Sequence, residues 1–328
     1  TGGLFGTAVK ADLTICFFGM KQGLFTGAGK SLTGDSVVDF LGIPSKILTE
    51  CAPTAMGVNY KSIKSSFAPR DLLSHKGDFG HLLVLGGAPG YAGAVLLCGM
   101  AALRSGVGLI SIGTHPDHAN SITASRPELM CHAISGESEL SSLIGRASVV
   151  AIGPGLSRRP WATRVLKCLE EAKIRCVYDA DALNLLSSNP NFRSDRVITP
   201  HVKEASRLLK IEPKDIESNR ILAARKLVLK YGGTTLLKGP GTVIVHEDDI
   251  PMIILDGNPG MASGGMGDVS TGVVGSFLAQ KIDQKKATIL AGVVHSHAAD
   301  LASQKWGERG LAASDLMDYL RFAVNPRD

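Results

Sequence analysis

Five short apolar runs recur through the middle of this chain: HLLVLGG (81–87), GLISIGT (108–114), ASVVAIGPG (147–155), IRCVYDA (174–180) and RVITP (196–200). They lack the in–out alternation of a sheet with one wet face. Strands of this kind are buried on both sides and need helices to cover them. The intervening segments supply such helices. YAGAVLLCGMAALRSG (91–106) is small and apolar all round, which suits a buried helix, and PWATRVLKCLEEAK (160–173) and KEASRLLK (203–210) read as further helices. The pattern predicts an α/β fold with a central, mostly parallel sheet and helices on both faces. TTLLKG (234–239), GTVIVHE (241–247) and MIILDG (252–257) follow too closely for crossovers and predict hairpins at one sheet edge. Helices are expected at 267–280, 284–303 and 313–321.

Residues 1–44 break this rhythm. ADLTICFF and VVDFLGIP read as strands and FTGAGKSLTGDS as a glycine-rich loop. A piece this short cannot bury a core of its own. It is expected to lean on something else or to be the tail of a domain missing from the chain, and the start at Thr1 rather than Met favours a fragment. Residues 45–75 show no period and read as a linker leading into a second domain. The expected domains are 1–47 and 48–328. Lysine plus arginine is 35 and aspartate plus glutamate 30, so the net charge is 35 − 30 = +5, with no long like-charge block. A nucleic-acid tail or polybasic membrane anchor is therefore not expected. No apolar run approaches the roughly 18 residues of a membrane span, and the first residues lack the regions of a signal peptide. Six cysteines without a CxxC pair suit buried thiols in a reducing compartment, so a cytoplasmic location is expected.

Glycine is over-represented: it fills 38 of 328 positions, about 12% against a usual ~7%. The densest cluster is DGNPGMASGGMGD (256–268), where Gly260, Gly264, Gly265 and Gly267 run directly into a helix. Such a loop lets several backbone N–H groups point into one cavity. The helix N-terminus adds partial positive charge, so phosphate can bind without a basic side chain. The spacing is neither GxxxxGK(S/T) nor the GxGxxG of dinucleotide folds. P-loop nucleotidases, and a dehydrogenase with NAD as cofactor, are therefore not supported. Asp268 opens the helix. As a bare helix-terminal charge it would contribute a few tenths to ~1 kcal/mol. Beside four clustered glycines it becomes a candidate base, ionised and facing the anion site across a substrate hydroxyl.

Other strand ends carry polar groups. LKGPGT (237–242) places Lys238 beside a turn, where it could meet a phosphate or be an exposed hairpin lysine. In GGAPGYAGA (86–94), Ala92, Gly93 and Ala94 allow close approach by a ligand or a neighbouring helix, packing being the plainer account. GPGL (153–156) lies where ligands of open α/β sheets bind. VYDADALNLL (177–186) offers Asp179 and Asp181, followed by Asn184, suited to a metal or to a helix cap. TPHVKE (199–204) puts His201 at a strand end and Glu204 in the following helix, with structural and site roles both open. His115-Pro-Asp-His118 resembles a metal pair but lacks a third ligand at metal spacing, and no metal site is expected among the side chains. His295 and His297 would point about 200° apart on a helix and cannot share a ligand. No GxSxG elbow anchors a hydrolase.

In order along the chain, HKGDFGHLLVLGGAPGYAGA, GPGL, DADALNLL, TPHVKEASRLL, LKGPGT and NPGMASGGMGDVSTG resemble the ADP/ATP-dependent NAD(P)H-hydrate dehydratases, over residues 70–325 or so. The Asp268 loop is shared more loosely with other ribokinase-like enzymes such as hydroxyethylthiazole kinase, whereas the ordered set of six is specific to the dehydratases. GTAVKADLTICFFGMKQGLFTGAG and VVDFLGIP look like the final strands of the NAD(P)H-hydrate epimerase domain fused in front of the dehydratase in many bacteria. That domain's catalytic aspartate and phosphate loop are missing from this chain. Ser270 stands where the family usually has leucine, a position that should pack the helix.

The resemblance implies a ribokinase-like fold and a repair reaction. The S epimer of hydrated NADH or NADPH is dehydrated at the expense of ADP or ATP, accompanied by Mg2+, in a homo-oligomer. By position, Lys238, Gly239, Pro240, Gly241 and Thr242, with Asn258, Pro259, Gly260, Met261, Ala262, Ser263, Gly264, Gly265, Met266 and Gly267, should hold the nucleotide. Ala94, Gly155, His201, Val202, Lys203, Glu204, Ala205, Ser206, Arg207 and Asp268 should line the hydrate site. Asp179, Asp181 and Asn184 should lie nearby.

The chemistry follows from leaving groups. Hydroxide leaves poorly and phosphate well. The hydrate's hydroxyl sits on a carbon bonded to the ring nitrogen, so once it is phosphorylated the nitrogen lone pair can expel phosphate. Asp268 is expected to orient and deprotonate that hydroxyl without needing a strongly raised pKa. The loop amides would stabilise charge on the transferring phosphoryl group. Two other readings stay open. A small-molecule alcohol kinase of the same fold would release a stable phosphate ester. A nucleotide sensor without turnover would not need Asp268.

Overall fold

A computed structural model describes residues 1–4 and 6–326. The front of the chain forms β1 (Leu13–Phe17), α1 (Ala28–Leu32), β2 (Asp35–Asp39), α2 (Ser45–Glu50), β3 (Met56–Val58) and α3 (Tyr60–Ile63). The alternating part runs β4 (His81–Gly86), α4 (Ala92–Arg104), β5 (Leu109–Thr114), α5 (Ala119–Ser125), β6 (Met130–Ala133), α6 (Glu137–Arg146), β7 (Val149–Ile152), α7 (Pro160–Ala172) and β8 (Cys176–Tyr178). It continues through α8 (Ala180–Ser188), β9 (Arg196–Ile198), α9 (Val202–Leu209), α10 (Pro213–Ser218), α11 (Arg220–Tyr231) and β10 (Thr234–Leu237). The last part holds β11 (Val243–His246), β12 (Met252–Ile254), α12 (Met266–Ala279), α13 (Gln284–Trp306) and α14 (Leu316–Ala323).

Ten strands form one sheet, ordered β3-β12-β11-β10-β9-β8-β7-β4-β5-β6. The strands from β4 to β10 pair in parallel, while β10, β11 and β12 make antiparallel hairpins. Leu82 and Val84 point into one core, under α4, α12, α13 and α14. Leu83 and Leu85 point into the other, under α6, α7, α8, α9 and α11. All four are fully buried, which is why the strand reads as an unbroken apolar run. Full burial of such a side chain contributes roughly 1.5–3 kcal/mol. Ser270 is buried within α12.

β4 pairs with both β5 and β7. Strand order therefore reverses beside β4, at the C-terminal ends of whose neighbouring strands the β4–α4 and β7–α7 loops begin. Open α/β sheets bind ligands at the C-terminal strand ends beside such a switch point.

Three expectations need correction. The hairpins do not end the sheet: β3, from the stretch expected to be a linker, pairs in parallel outside β12, with Met56 opposite Met252. Three residues, of which only Val58 is buried, leave no periodic trace. β6 forms the opposite edge from MCHA, which contains no apolar run. α1 lies inside the stretch expected to be loop. β1 and β2 form a separate parallel pair and the front piece docks on the large sheet domain, with Gly27 N donating to Pro240 O at 3.0 Å. Among the described residues no helix is long and apolar enough to cross a membrane.

Candidate active site

The candidate site lies where loops at the C-terminal strand ends are tied to one another. After β4, Gly87 N donates to Pro154 O (3.0 Å) and Ala88 N to Gly155 O (2.7 Å), locking the β4–α4 and β7–α7 loops together. This sets Gly155 beside Ala94, so part of the small-residue allowance in these loops serves packing. After β8, Asp179 starts α8 but does not cap it. Its buried carboxylate accepts from Lys238 Nζ at 2.5 Å and from Thr271 Oγ1 of α12 at 2.8 Å. It makes no capping hydrogen bond to α8. Asp181 accepts from Ser157 N (2.9 Å) and Asn184 Nδ2 (3.0 Å), and Asn184 Oδ1 accepts from Arg207 Nη1 (2.8 Å). That chain of contacts holds the β7–α7 loop and aims Arg207.

After β9, His201 caps α9. Its Nδ1 accepts from Lys203 N (3.1 Å) and Glu204 N (3.4 Å), while Glu204 Oε2 accepts from His201 N (2.8 Å). Nε2 lies 3.5 Å from Glu204 Oε1. Burial, with the charge of Lys238, pushes His201 down to about 4, so the ring is neutral at physiological pH and Nε2 carries its proton. The expectation that the whole stretch 201–207 lines the site is too broad. At 100° per residue a helix presents one face, here His201, Glu204 and Arg207. Ala205 is fully buried in the core, Ser206 Oγ donates to Ile211 O, Val202 packs on the same core, and Lys203 is exposed.

Lys238, at the end of β10, meets this cluster. It lies against Asp179 and 4.0 Å from Glu204. Burial works against its charge, but Asp179 and Glu204 hold the amine above its ordinary value. Lys238 is thus neither an exposed hairpin lysine nor a free phosphate ligand. Asp268 completes the group from the first turn of α12. Burial first, then the charge of Asp179, pushes it up to about 7 against the pull of Lys238. The carboxyl is raised because it is desolvated among like charges, although the expected chemistry does not require a raised base. Glu204 is raised as well, chiefly by burial.

The opposite wall is main chain. Asp300 of α13 accepts from Gly257 N and Asn258 Nδ2, both at 2.8 Å, and Asn258 Oδ1 accepts from Gly260 N at 3.0 Å. A short turn over Pro259–Met261 follows, then Ala262, Ser263 and Gly264. Gly265, at φ +88°, turns the chain into α12, and a Cβ there would sit 2.6 Å from Leu97 Cδ1. The first amides of α12 have no intrahelical acceptor. They start close to the charge cluster, since a methyl group on Gly267 would lie 3.3 Å from Lys238 Nζ. Met266 is buried and Met261 packs on the core, so these two can contribute only backbone. Gly239 and Thr242 close the neighbouring turn around Pro240, with Gly239 N donating to Thr242 Oγ1. Gly241 lies against the Phe25 carbonyl, where no Cβ would fit.

Some residues escaped the sequence. Thr271 was hidden in a uniformly apolar helix. His295 was set aside with His297. His297 stacks on Tyr60, ring centroids 3.8 Å apart. His295 is buried, its Nε2 has no hydrogen-bond partner, and burial and Lys238 push it down to about 4. Helical spacing separates the two rings correctly but cannot say which one faces the site. Among the described residues no three His, Cys, Asp or Glu cluster to hold a metal, and His115 instead sets its ring edge against Trp161.

Residues 82–321 match the family described as NAD(P)H-hydrate dehydratase. The chain is 41% identical over 326 residues to the bifunctional NAD(P)H-hydrate repair enzyme Nnr of Coxiella burnetii, an alignment that covers 99% of this chain and 67% of that protein. It spans about two thirds of the length of the curated relatives it matches. The ADP/ATP-dependent NAD(P)H-hydrate dehydratase of Bacillus subtilis, co-crystallised with ATP and Mg2+, superposes with a TM-score of 0.74 at 28% identity, covering 82% of this chain and 97% of that one. A ribokinase-like superfamily protein of Enterococcus faecalis V583 gives a TM-score of 0.75 at 26% identity, covering 83% and 95%. Sheet order and sequence relationship agree, and the chain belongs to the NAD(P)H-hydrate dehydratase family, with a ribokinase-like fold.

Proposed function

We propose that the chain returns the S epimer of hydrated NADH or NADPH to the working coenzyme at the expense of ADP or ATP, with Asp268 as the base. One observation carries this reading. A buried carboxylate, pushed up to about 7, sits in the first turn of α12 between a nest of amides and the Lys238–Asp179 pair. A group of that pKa is about half ionised at neutral pH and is a stronger base than an ordinary carboxylate.

The hydrate hydroxyl gives its proton to Asp268 while its oxygen attacks the terminal phosphorus of the nucleotide. The bond from that phosphorus to the bridging oxygen breaks and releases AMP from ADP, or ADP from ATP. The amides of Gly264 to Gly267 face the transferring phosphoryl group and need no reorganisation as charge develops. The ring-nitrogen lone pair then expels phosphate, and loss of a proton from the adjacent carbon restores the dihydropyridine. Lys238 stays charged and holds the Asp179 carboxylate in place. When bound, Mg2+ neutralises phosphate charge. The side chains fit an ion held by the nucleotide's phosphates rather than by a protein cage, because both Asp179 oxygens are already taken by Lys238 and Thr271.

The reading extends to organisation. Residues 1–47 would be the end of an epimerase domain and 48–328 the dehydratase domain, within a longer bifunctional repair enzyme. The alignment of a bifunctional relative over 99% of the chain supports this. Six unpaired cysteines support a cytoplasmic setting. The fully exposed side chains of Leu72 and Leu73 support a homo-oligomer, which light scattering would test. The function is tested by mixing the chain with hydrated NADH and ADP or ATP while following reduced-nicotinamide absorbance and free phosphate. Both should rise together. A stable phosphate ester with no absorbance gain would move the assignment to an alcohol kinase.

A further inference from the structure

The glycine-rich loop is gripped from three directions just before it reaches the α12 amides. Asp300 of α13 holds Gly257 and Asn258. The Asp256 carboxylate accepts from Tyr60 N at the start of α3, at 2.7 Å. The third grip comes from outside the large sheet: Lys30 of α1 donates through Nζ to the main-chain carbonyls of Leu255 (2.9 Å) and Asp256 (3.2 Å). The same front segment reaches the other nucleotide loop, through Gly27 N to Pro240 O and through the Phe25 carbonyl packed on Gly241.

We propose that Lys30 is a positioning residue for the nucleotide, through which the front segment sets the register of the glycine-rich loop. The proposal rests on reading residues 256–268 as the nucleotide loop. Amides bind phosphate only when their N–H vectors converge, and a shift of about 1 Å is enough to lose much of that binding. A loop of glycine, alanine and serine has little side-chain packing to hold it, so its angle is set where it is anchored. Lys30 spans two successive carbonyls at that anchor, between the carboxylates of Asp256 and Asp300, whose charges oppose the effect of burial on its amine. Its hydrogen bonds end on that main chain and do not touch Asp179, Glu204 or Asp268. It should therefore affect nucleotide binding and leave the chemical step alone.

Lys30→Met keeps the length and removes both donors. It should raise KM for ADP about tenfold, with kcat within about twofold and KM for the hydrate unmoved. Lys30→Arg, which can donate to both carbonyls, should recover most of the loss. Calorimetric titration of ADP and ATP into the wild type and both variants, with melting temperatures alongside, decides the matter. A wild type that binds neither nucleotide sinks the nucleotide reading itself. A wild type that binds, with Lys30→Met binding equally well, sinks only the positioning role. Parallel losses in kcat and both KM values, tracking a fall in melting temperature and not mended by arginine, would leave Lys30 as ordinary packing. Should the methionine variant not fold, Lys30→Gln, which keeps one donor group, is read in the same way.

Discussion

The two walls of the candidate site are built from different materials. From Gly257 to Gly267 the wall is backbone, anchored by Asp300 and by the cap at Asn258, with Met266 turned into the core. Facing it are side chains from four separate elements: Asp179 after β8, Glu204 on α9, Lys238 after β10 and Asp268 on α12. A nest of amides cannot titrate, and it accepts any phosphate of suitable shape. The charge cluster titrates, and its members set one another's protonation. Binding and chemistry should therefore respond to different substitutions.

The largest expected effect is on the charged wall. Asp268→Asn should cut turnover by about 10²–10⁴ while ADP still binds. A variant retaining a tenth or more of the normal rate would make Asp268 a helix-end charge. The base would then have to be sought elsewhere, and Asp181 is a weaker candidate than it looked, being occupied by Ser157 and Asn184. Second, Lys238→Met leaves Asp179 buried without its cation, and breaking such a pair costs about 3–5 kcal/mol. Thermal melting should show the loss. If melting is unchanged and ADP affinity collapses, Lys238 belongs functionally to the backbone wall and the division drawn here is wrong.

Third, Gly265→Ala strains the backbone wall and presses its new Cβ on Leu97. An L-residue at this positive φ costs roughly 1–2 kcal/mol, so ADP affinity should fall about tenfold with kcat largely kept. Last, turnover should rise about tenfold between pH 6 and 8, with a midpoint near 7 from Asp268, while ADP affinity stays flat apart from the phosphate's own titration. Stability carries the matching sign. Asp268 binds its proton more tightly folded than unfolded, so the stability it contributes is full below about pH 4 and is lost as pH rises through about 7. His201 and His295, both pushed down to about 4, act oppositely and lose stability as pH falls from about 6.5 through that value. Asp268→Asn should therefore flatten the melting curve's decline between pH 6.5 and 8.

Much of the fold was legible because two-sided burial writes itself into β4 and β7 as unbroken apolar runs. β3 and β6 were not, being edge strands short enough for pairing partners, rather than composition, to decide them. The backbone wall was legible for a related reason: clustered glycines have few uses. The charged wall was only partly so. Asp179 and Lys238 are 59 residues apart, and nothing local distinguishes Asp179 from Asp181 two positions later. Their roles diverge because Asp179 falls under α12, while Asp181 turns toward the Ser157 loop. The charges that act on Asp268, those of Asp179, Glu204 and Lys238, come from other strand ends and helices and had no local signature. Lys30 reaches carbonyls 225 residues away, a contact that no reading of a glycine-rich stretch would supply.

β3 also bears on how the sheet domain can be handled in isolation. Its three residues occupy the hydrogen-bonding edge of β12, beyond which, among the described residues, the large sheet has no further strand. Trimming the front of the chain back to Tyr60 would uncover the main-chain groups of Met252–Ile254 beside two buried isoleucines, Ile253 and Ile254. An open apolar edge of this kind recruits strands from other molecules. A shortened protein begun there should self-associate into β-rich aggregates, whereas one cut ahead of Met56 keeps its own edge strand and should stay dispersed.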